Sequence, residues 1–320
     1  MINIAIIGAE DPLAGEMMRI LISHPEANMK LLFSPSLRGL PVSSVHHGFI
    51  GEEIVNFSDK EDIGKIDVVF LLDDSEFSHK IKGLEAIEEN PKIIDLSPRR
   101  HEGWRAADIE YGLSEINRKA LVRGARKAVI PSSIASLSLI GLAPLASYLL
   151  LPDNLELYVA APEDVIQELD PKKIAEEIAQ QLKKRQQSFE GNVKLRISKN
   201  NSERVMRVKT KFRCLLGIEE IQKIYDSIYD DHNFTFTSIK EVEGKEVEGT
   251  QKTIISFSKP TSDTLEIEVV GDCRLRGGAG DAVHVLNLFF NLHEKIGLEL
   301  KPSRFKIEKA STSKPLSWFA

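Results

Sequence analysis

The sequence predicts an α/β fold: a Rossmann-like, doubly wound parallel sheet with an α+β second domain inserted before the chain returns to the first. Three observations predict it. From residue 1 to about 150, short apolar β-branched runs alternate with helix-patterned segments, the sequence form of stacked βαβ units. Beyond that point longer alternating strands and amphipathic helices take over. A last apolar helix then follows a glycine-rich turn at Gly277-Gly278 and is expected to pack back on the first domain. With 320 residues the chain has room for two domains, at roughly 100–200 residues each. The expected limits are 1–148 completed by 279–310, around an insert of 149–278.

Five runs, at 3–7, 29–33, 67–72, 92–96 and 128–130, are nearly all apolar, as strands covered on both faces must be. Met17, Met18, Leu21 and Ile22 fall near one helical face, which predicts the first crossover helix over 15–24. After Ile130 the chain turns at Pro131-Ser132-Ser133 and enters an apolar helix reaching about Leu150. The stretch 129–151 carries no charge and is long enough to span a bilayer. Its serines, Pro131 and Pro144 argue instead for a buried strand feeding a core helix, so no membrane span is expected.

In the second domain Asp170-Pro171 supplies a cap and a first-turn proline, and Ile174, Ile178 and Leu182 recur every four residues up to Lys183-Lys184-Arg185. Strands at 193–198 and 204–212 flank Asn200-Asn201 as an expected hairpin. A helix over 217–229, strands at 253–257 and 264–270, and a final helix over 279–293 complete the order.

Hydrophobic residues at 42% and charged residues at 28% exclude wholesale disorder. Forty-two Lys+Arg against 48 Asp+Glu give a net charge of −6, so a nucleic-acid partner would need a segregated basic face. Arg207, Lys209, Lys211 and Arg213 alternate along one strand, but no aromatic residues interleave on that face. It reads as a solvated sheet face, and no nucleic-acid partner is expected. Cys214 and Cys273 are too few for a structural zinc site and read as reduced thiols of a cytoplasmic protein; no metal site is predicted. The first residues lack a basic n-region and reach Glu10 too soon for a signal peptide.

Two places invite a ligand. Strand, Gly8, then helix is where a dinucleotide loop lies, with Gly8, Ala9, Asp11 and Leu13 as its candidate contacts. Yet Asp11 and Ala14 stand where a GxxGxxG pattern wants glycine, and Glu10 and Asp11 set negative charge beside a diphosphate; an ordinary βα turn accounts for the stretch equally. The second place is the turn at Pro131-Ser132-Ser133, at a carboxyl end of the sheet, where open parallel sheets bind ligands.

Several segments in order carry a resemblance: Gly8-Ala9; Pro41-Val42-Ser43-Ser44-Val45-His46; Val68-Val69-Phe70-Leu71; Ile94-Asp95-Leu96-Ser97; Tyr111-Gly112-Leu113-Ser114-Glu115-Ile116-Asn117-Arg118; Gly141-Leu142-Ala143-Pro144-Leu145; Arg276-Gly277-Gly278-Ala279-Gly280-Asp281-Ala282-Val283; and Asn287-Leu288. From residue 2 to about 298 the chain resembles the N-acyl-gamma-glutamyl-phosphate reductases, relatives of aspartate-semialdehyde dehydrogenase. The resemblance implies a homo-oligomer, dimer or tetramer, in arginine or related amino-acid biosynthesis. In such a reductase a cysteine thiolate attacks an acyl phosphate, phosphate leaves, and NADPH reduces the thioester to an aldehyde.

It also implies NADP as cofactor, with Ser34, Ser36 and Arg38 after the second strand near the adenosine 2′-phosphate; loop capping by the two serines and a solvated arginine accounts for these residues at least as well. Gly277 and Gly278, beside Arg274 and Arg276, would offer backbone donors and positive charge; close packing at a helix start explains those glycines as well.

The resemblance breaks where chemistry is concentrated. The family's Asn-Pro-Gly-Cys-Tyr-Pro-Thr turn aligns with Ile130-Pro131-Ser132-Ser133-Ile134-Ala135-Ser136, which puts Ser133 at the cysteine position. The family's His-Arg-His-x-Pro-Glu segment has no counterpart between Ala160 and Val205, and no histidine lies between His101 and His232. The family's Leu-Pro-His is Asp73-Asp74-Ser75. Ser133 then reads in three ways: helix-start residue, hydrogen-bonding group of a retained pocket, or serine nucleophile, which would need a base. Cys273 as a replacement nucleophile lacks a nearby base in sequence and reads as a small buried residue. Two functions follow: a reductase with an altered nucleophile, or a catalytically lapsed homologue that binds a small anionic metabolite or stabilises a partner.

Overall fold

The computed structural model describes residues 1–99, 108–167 and 170–302. The elements of the first unit are β1 (Ile2–Ile7), α1 (Pro12–Leu21), β2 (Ala27–Phe33), β3 (Phe57–Ser58), β4 (Val68–Leu71), α2 (Glu76–Lys82), β5 (Lys92–Asp95), β6 (Glu110–Tyr111), α3 (Ser114–Val122) and β7 (Lys127–Val129). Then come α4 (Ser133–Ser147), β8 (Asn154–Ala161), α5 (Glu163–Gln167), α6 (Pro171–Lys183), β9 (Asn192–Lys199), β10 (Val205–Arg213), α7 (Ile218–Tyr229), β11 (Thr235–Ser238), β12 (Thr253–Thr261), β13 (Thr264–Asp272) and α8 (Ala279–Phe289). A parallel seven-stranded sheet runs β3-β2-β1-β4-β5-β7-β6, and a mixed six-stranded sheet runs β11-β12-β13-β10-β8-β9. Residues 303–320, which include Trp318-Phe319 and the end of the expected segment 279–310, lie outside the described residues.

The first sheet is covered on both faces, the physical reason its strands are apolar throughout. Ile4, Ile6, Phe70 and Ile94 pack with α1 and α8, while Ala5, Ile7, Val69 and Leu71 pack with Phe77 and Ile81 of α2. So α8, more than 150 residues downstream of this sheet's β5 in sequence, completes the first core. Helix α1 begins at Pro12 rather than 15, because the Asp11 carboxylate caps it by accepting from the Leu13 amide at 2.7 Å. Helix α8 stops at Phe289, short of 293, as Asn291 takes a left-handed φ of 53°.

The expected hairpin does not form. Strand β8 lies between β9 and β10, parallel to the first and antiparallel to the second. Leu155, Leu157, Val159 and Ala161 of β8 are all buried, an alternation that makes it a strand able to take the central place. Asn200 finishes the crossing by donating to the Ala160 and Val205 carbonyls at 3.1 and 2.8 Å. The short strands β3, β6 and β11 carry too few residues to show a period.

Helix α4 starts at the first sheet and packs on the second. Ser132 caps it through the Ala135 amide, and it ends at Ser147 rather than Leu150. Ile134, Leu137 and Leu145 join one core with Leu157, Val159, Val208, Ile267 and Val269. Its uncharged sequence thus answers to burial within protein, and among the described residues no helix is long and apolar enough to cross a membrane.

Pro144 removes the amide that would bond the Ile140 carbonyl. Tyr229 of α7 donates to that carbonyl at 2.6 Å, and Tyr225, one turn earlier, donates to the carbonyl of Gly141. A side chain at Gly141 would meet Val269 at 2.6 Å, so only glycine lets α4 lie this close to β13.

The two units are also tied by charge. Glu16 of α1 receives Arg204 at 2.7 and 3.2 Å, and the same guanidinium bonds Asp272 at the end of β13 at 2.8 Å. Burial pushes the Glu16 carboxyl up, but hydrogen bonds and charge from Arg204 and Arg19 outweigh it and lower it to about 2. On the outer sheet face, Arg207 pairs with Glu268 at 3.2 Å and Lys209 with Glu266 and Glu268 at 3.7 and 3.6 Å, so cross-strand carboxylates answer the cationic stripe.

Two outcomes test these assignments. Tyr229→Phe should cost about 1–3 kcal/mol in urea unfolding by orphaning the Ile140 carbonyl, and adding Pro144→Ala should recover part of that loss by restoring the helical donor. Glu16, lowered in the folded state, contributes stability that is full above its unfolded pKa and is lost as pH falls towards 2. Glu16→Gln should therefore destabilise the protein by roughly 1–3 kcal/mol at pH 7 and flatten the acid limb of stability between about pH 5 and 2.

Candidate functional site

The carboxyl ends of the first sheet meet the second unit at one place. Gly8, with φ of 80°, ends β1, and a side chain there would stand 3.0 Å from the Asp73 Cβ at the end of β4. Gly277, with φ of 69°, presses on the start of α4: a side chain on it would fall 2.3 Å from the Ser133 nitrogen. One on Gly278 would lie 3.1 Å from Leu13 of α1. The β1–α1 turn, the α4 start and the α8 start are thereby neighbours, and the glycines are what lets their backbones touch.

Ser133 is the first residue of α4 and is buried, with Ser132 doing the capping. Among the described residues no imidazole or carboxylate hydrogen-bonds to its Oγ. The nearby acid, Asp281, is committed elsewhere: it accepts from the Gly277 amide at 2.7 Å, from Ser136 at 3.4 Å and from Gln251 at 2.6 Å. Both thiols are distant in role as well. Cys214 and Cys273 are buried, and burial, with the charge of Asp272, pushes the Cys273 thiol up to about 12, far from a thiolate at neutral pH.

Arg276, whose sequence neighbourhood suggests a charge offered to a cofactor, is turned into the protein interior. It is fully buried, and bonds Glu115 of α3 at 2.8 Å and Asp281 of α8 at 3.1 Å, with Thr235 of β11 at 3.3 Å. Although burial pushes the Glu115 carboxyl up, the Arg276 charge holds it below the ordinary carboxylate range. Arg274 is turned to Asp164 in an ion pair. The amides of Gly277 and Gly278 bond Asp281 and the Leu275 carbonyl, the latter at 3.3 Å, so this turn is spent on packing.

After β2, Ser34 is buried with its Oγ 3.3 Å from that of Ser36, and Arg38 is exposed with a 3.0 Å ion pair to Asp59. A surface pair of this kind is worth little, so Arg38 is available to a phosphate. These residues and Gly8 fit the adenosine end and the close approach of a dinucleotide; the Asp11 carboxylate at the α1 start does not fit its diphosphate. His46, for which no local pattern predicts a role, fixes the loop by bonding the Ala9 carbonyl at 2.8 Å and filling the space beside Gly15.

The departure at Asp73-Asp74-Ser75 has its own architecture. Asp73 accepts from Ser75 Oγ at 2.8 Å and Ser78 Oγ at 2.5 Å, while Lys82 of α2 reaches Ser97 at 2.6 Å, Asp95 at 3.2 Å and Asp74 at 3.4 Å. No sequence period links Lys82 to Asp95, and only the sheet brings them together. The interval between Ala160 and Val205 borders an open cleft of about 650 Å³ lined by Asp164, Lys199, Asn200, Asn201 and Arg274. Both cations of that lining are paired, Arg274 with Asp164 and Lys199 with Glu163.

Comparison with known proteins accords with this architecture. Residues 3–123 match the semialdehyde dehydrogenase NAD-binding domain. The chain is 33% identical over 326 residues to N-acetyl-gamma-glutamyl-phosphate reductase of Parabacteroides distasonis, covering 95% of this chain and 100% of that one. The corresponding protein of Phocaeicola vulgatus is 31% identical, again over 95% and 100%. In fold, the chain superimposes on aspartate semialdehyde dehydrogenase II of Vibrio cholerae with a TM-score of 0.68 at 13% identity, over 91% of this chain and 98% of that one. It also superimposes on the Candida albicans aspartate semialdehyde dehydrogenase solved with NADP, with a TM-score of 0.66 at 11% identity, over 91% and 99%. A parallel sheet ending at Gly8, a second sheet joined through α4, and whole-length similarity to those curated reductases lead to one conclusion: the chain belongs to the N-acetyl-gamma-glutamyl-phosphate reductase family of semialdehyde dehydrogenases.

Proposed function

We propose that this chain keeps the ligand-holding frame of an N-acyl-gamma-glutamyl-phosphate reductase and has lost the thioester step, so that it acts as a binding homologue for a small anionic acylated metabolite and NADP(H). The observation that carries this reading is Ser133. A hydroxyl occupies the family's cysteine position, and among the described residues no base takes its proton, whereas acyl transfer through serine requires one. An oxygen ester also differs from a thioester as a hydride acceptor. Neither thiol of the chain replaces the missing sulfur: both are buried, and Cys273 is held as a thiol.

The binding reading draws on the α4 start, where helix amides favour a phosphate or carboxylate, and on Ser34, Ser36 and Arg38 for a nucleotide 2′-phosphate. NADPH, when bound, supplies hydride chemistry; the residues of this chain supply only its cradle. The expected domain limits, a cytoplasmic setting near arginine biosynthesis and a homo-oligomeric dimer or tetramer belong to the same proposal.

The purified chain should bind NADPH saturably by fluorescence titration yet show no acyl-phosphate-dependent NADPH oxidation. Ser133→Cys should still give no acyl-phosphate-dependent NADPH oxidation, because a thiol at this buried position has, among the described residues, no proton acceptor bonded to it to make it a thiolate. Turnover by the native chain that disappears in Ser133→Ala would establish serine chemistry and overturn the proposal.

A further inference from the structure

We infer that Asp11 is a built-in competitor for the nucleotide diphosphate, so that NADP(H) enters only when its carboxylate gives up the Leu13 amide. The inference rests on the nucleotide-binding reading above and goes further, to the residue that sets the affinity. A helix start ordinarily presents free amides to an anion. Here they are accounted for one by one. Gly8 and Ala9 donate to the Phe33 carbonyl at 3.1 Å each, and Asp11 donates to the Gly8 carbonyl at 3.1 Å. Pro12 has no amide hydrogen. Leu13 donates to the Asp11 carboxylate at 2.7 Å, and Ala14 and Gly15 donate to the Asp11 carbonyl at 2.9 and 3.3 Å. Among the described residues only the Glu10 amide of this loop is left, beside Glu10's own exposed carboxylate.

The chain thus carries its own anion in the anion position. A tethered carboxylate acts at high effective concentration, and a diphosphate must both displace it and tolerate its charge. The surroundings do little to neutralise it: Arg274 lies close enough to act on Asp11 but is paired with Asp164, and His46 is engaged with the Ala9 carbonyl. Burial pushes the Asp11 carboxyl up and the Leu13 amide pulls it down, so the amide contact is what favours its ionised form here.

The test is titration of the full chain and its Asp11→Gly and Asp11→Asn variants with NADPH and with 2′-AMP, which lacks the diphosphate. Glycine frees the donor and removes the charge at little cost to the helix start, while asparagine keeps the cap and removes only the charge. Asp11→Gly should bind NADPH about tenfold or more tighter than the native chain, as expected for releasing a charge-assisted hydrogen bond, with Asp11→Asn between them and 2′-AMP affinity equal in all three. Equal or weaker NADPH binding by Asp11→Gly, with 2′-AMP still bound, overturns the inference and leaves the nucleotide reading standing. Absence of binding of either ligand to any variant overturns both.

Discussion

A guanidinium with no access to water must be matched by carboxylates, and the buried Arg276 makes that requirement the organising constraint of this molecule. Its partners come from three places: Glu115 on α3, Asp281 on α8 and the Thr235 hydroxyl on β11. Satisfying it fixes the α8 start against the first sheet and the edge of the second sheet at once. Asp281 then binds the Gly277 amide, and Gly277 is pressed onto the Ser133 backbone. The backbone at Ser133 is therefore placed by how a buried charge is housed on a segment distant in sequence.

The Arg276 cluster, the Tyr229 contact to the proline-freed carbonyl of α4 and the Glu16–Arg204–Asp272 bridge are structural, and each holds without a reacting group. The residues on which the proposed change of function turns lie elsewhere: Ser133 at the start of α4, and the carboxylates Asp11, Asp73 and Asp74 that follow β1 and β4. Two of these carboxylates use up donors within the protein, Asp11 with the Leu13 amide and Asp73 with the Ser75 and Ser78 hydroxyls. Retained fold and altered site are separable because core packing and cleft chemistry use different side chains.

By itself the sequence determined the parallel first sheet, because strands covered on both faces must be apolar throughout, and it marked the helix at Pro171 through its cap and period. It also placed Ser133 at the start of α4 and Gly8 at the end of β1, since turns after buried strands are written in local residue types. The tertiary structure alone decided what crosses the chain. Strand β8 separates β9 from β10 because pairing depends on which face is buried, not on the nearness of Asn200-Asn201 to a turn. Arg276 turned inward rather than toward a ligand, because its carboxylates lie on other elements. Whether an arginine or an aspartate serves a ligand or the fold is set by partners distant in sequence, and no local pattern records them.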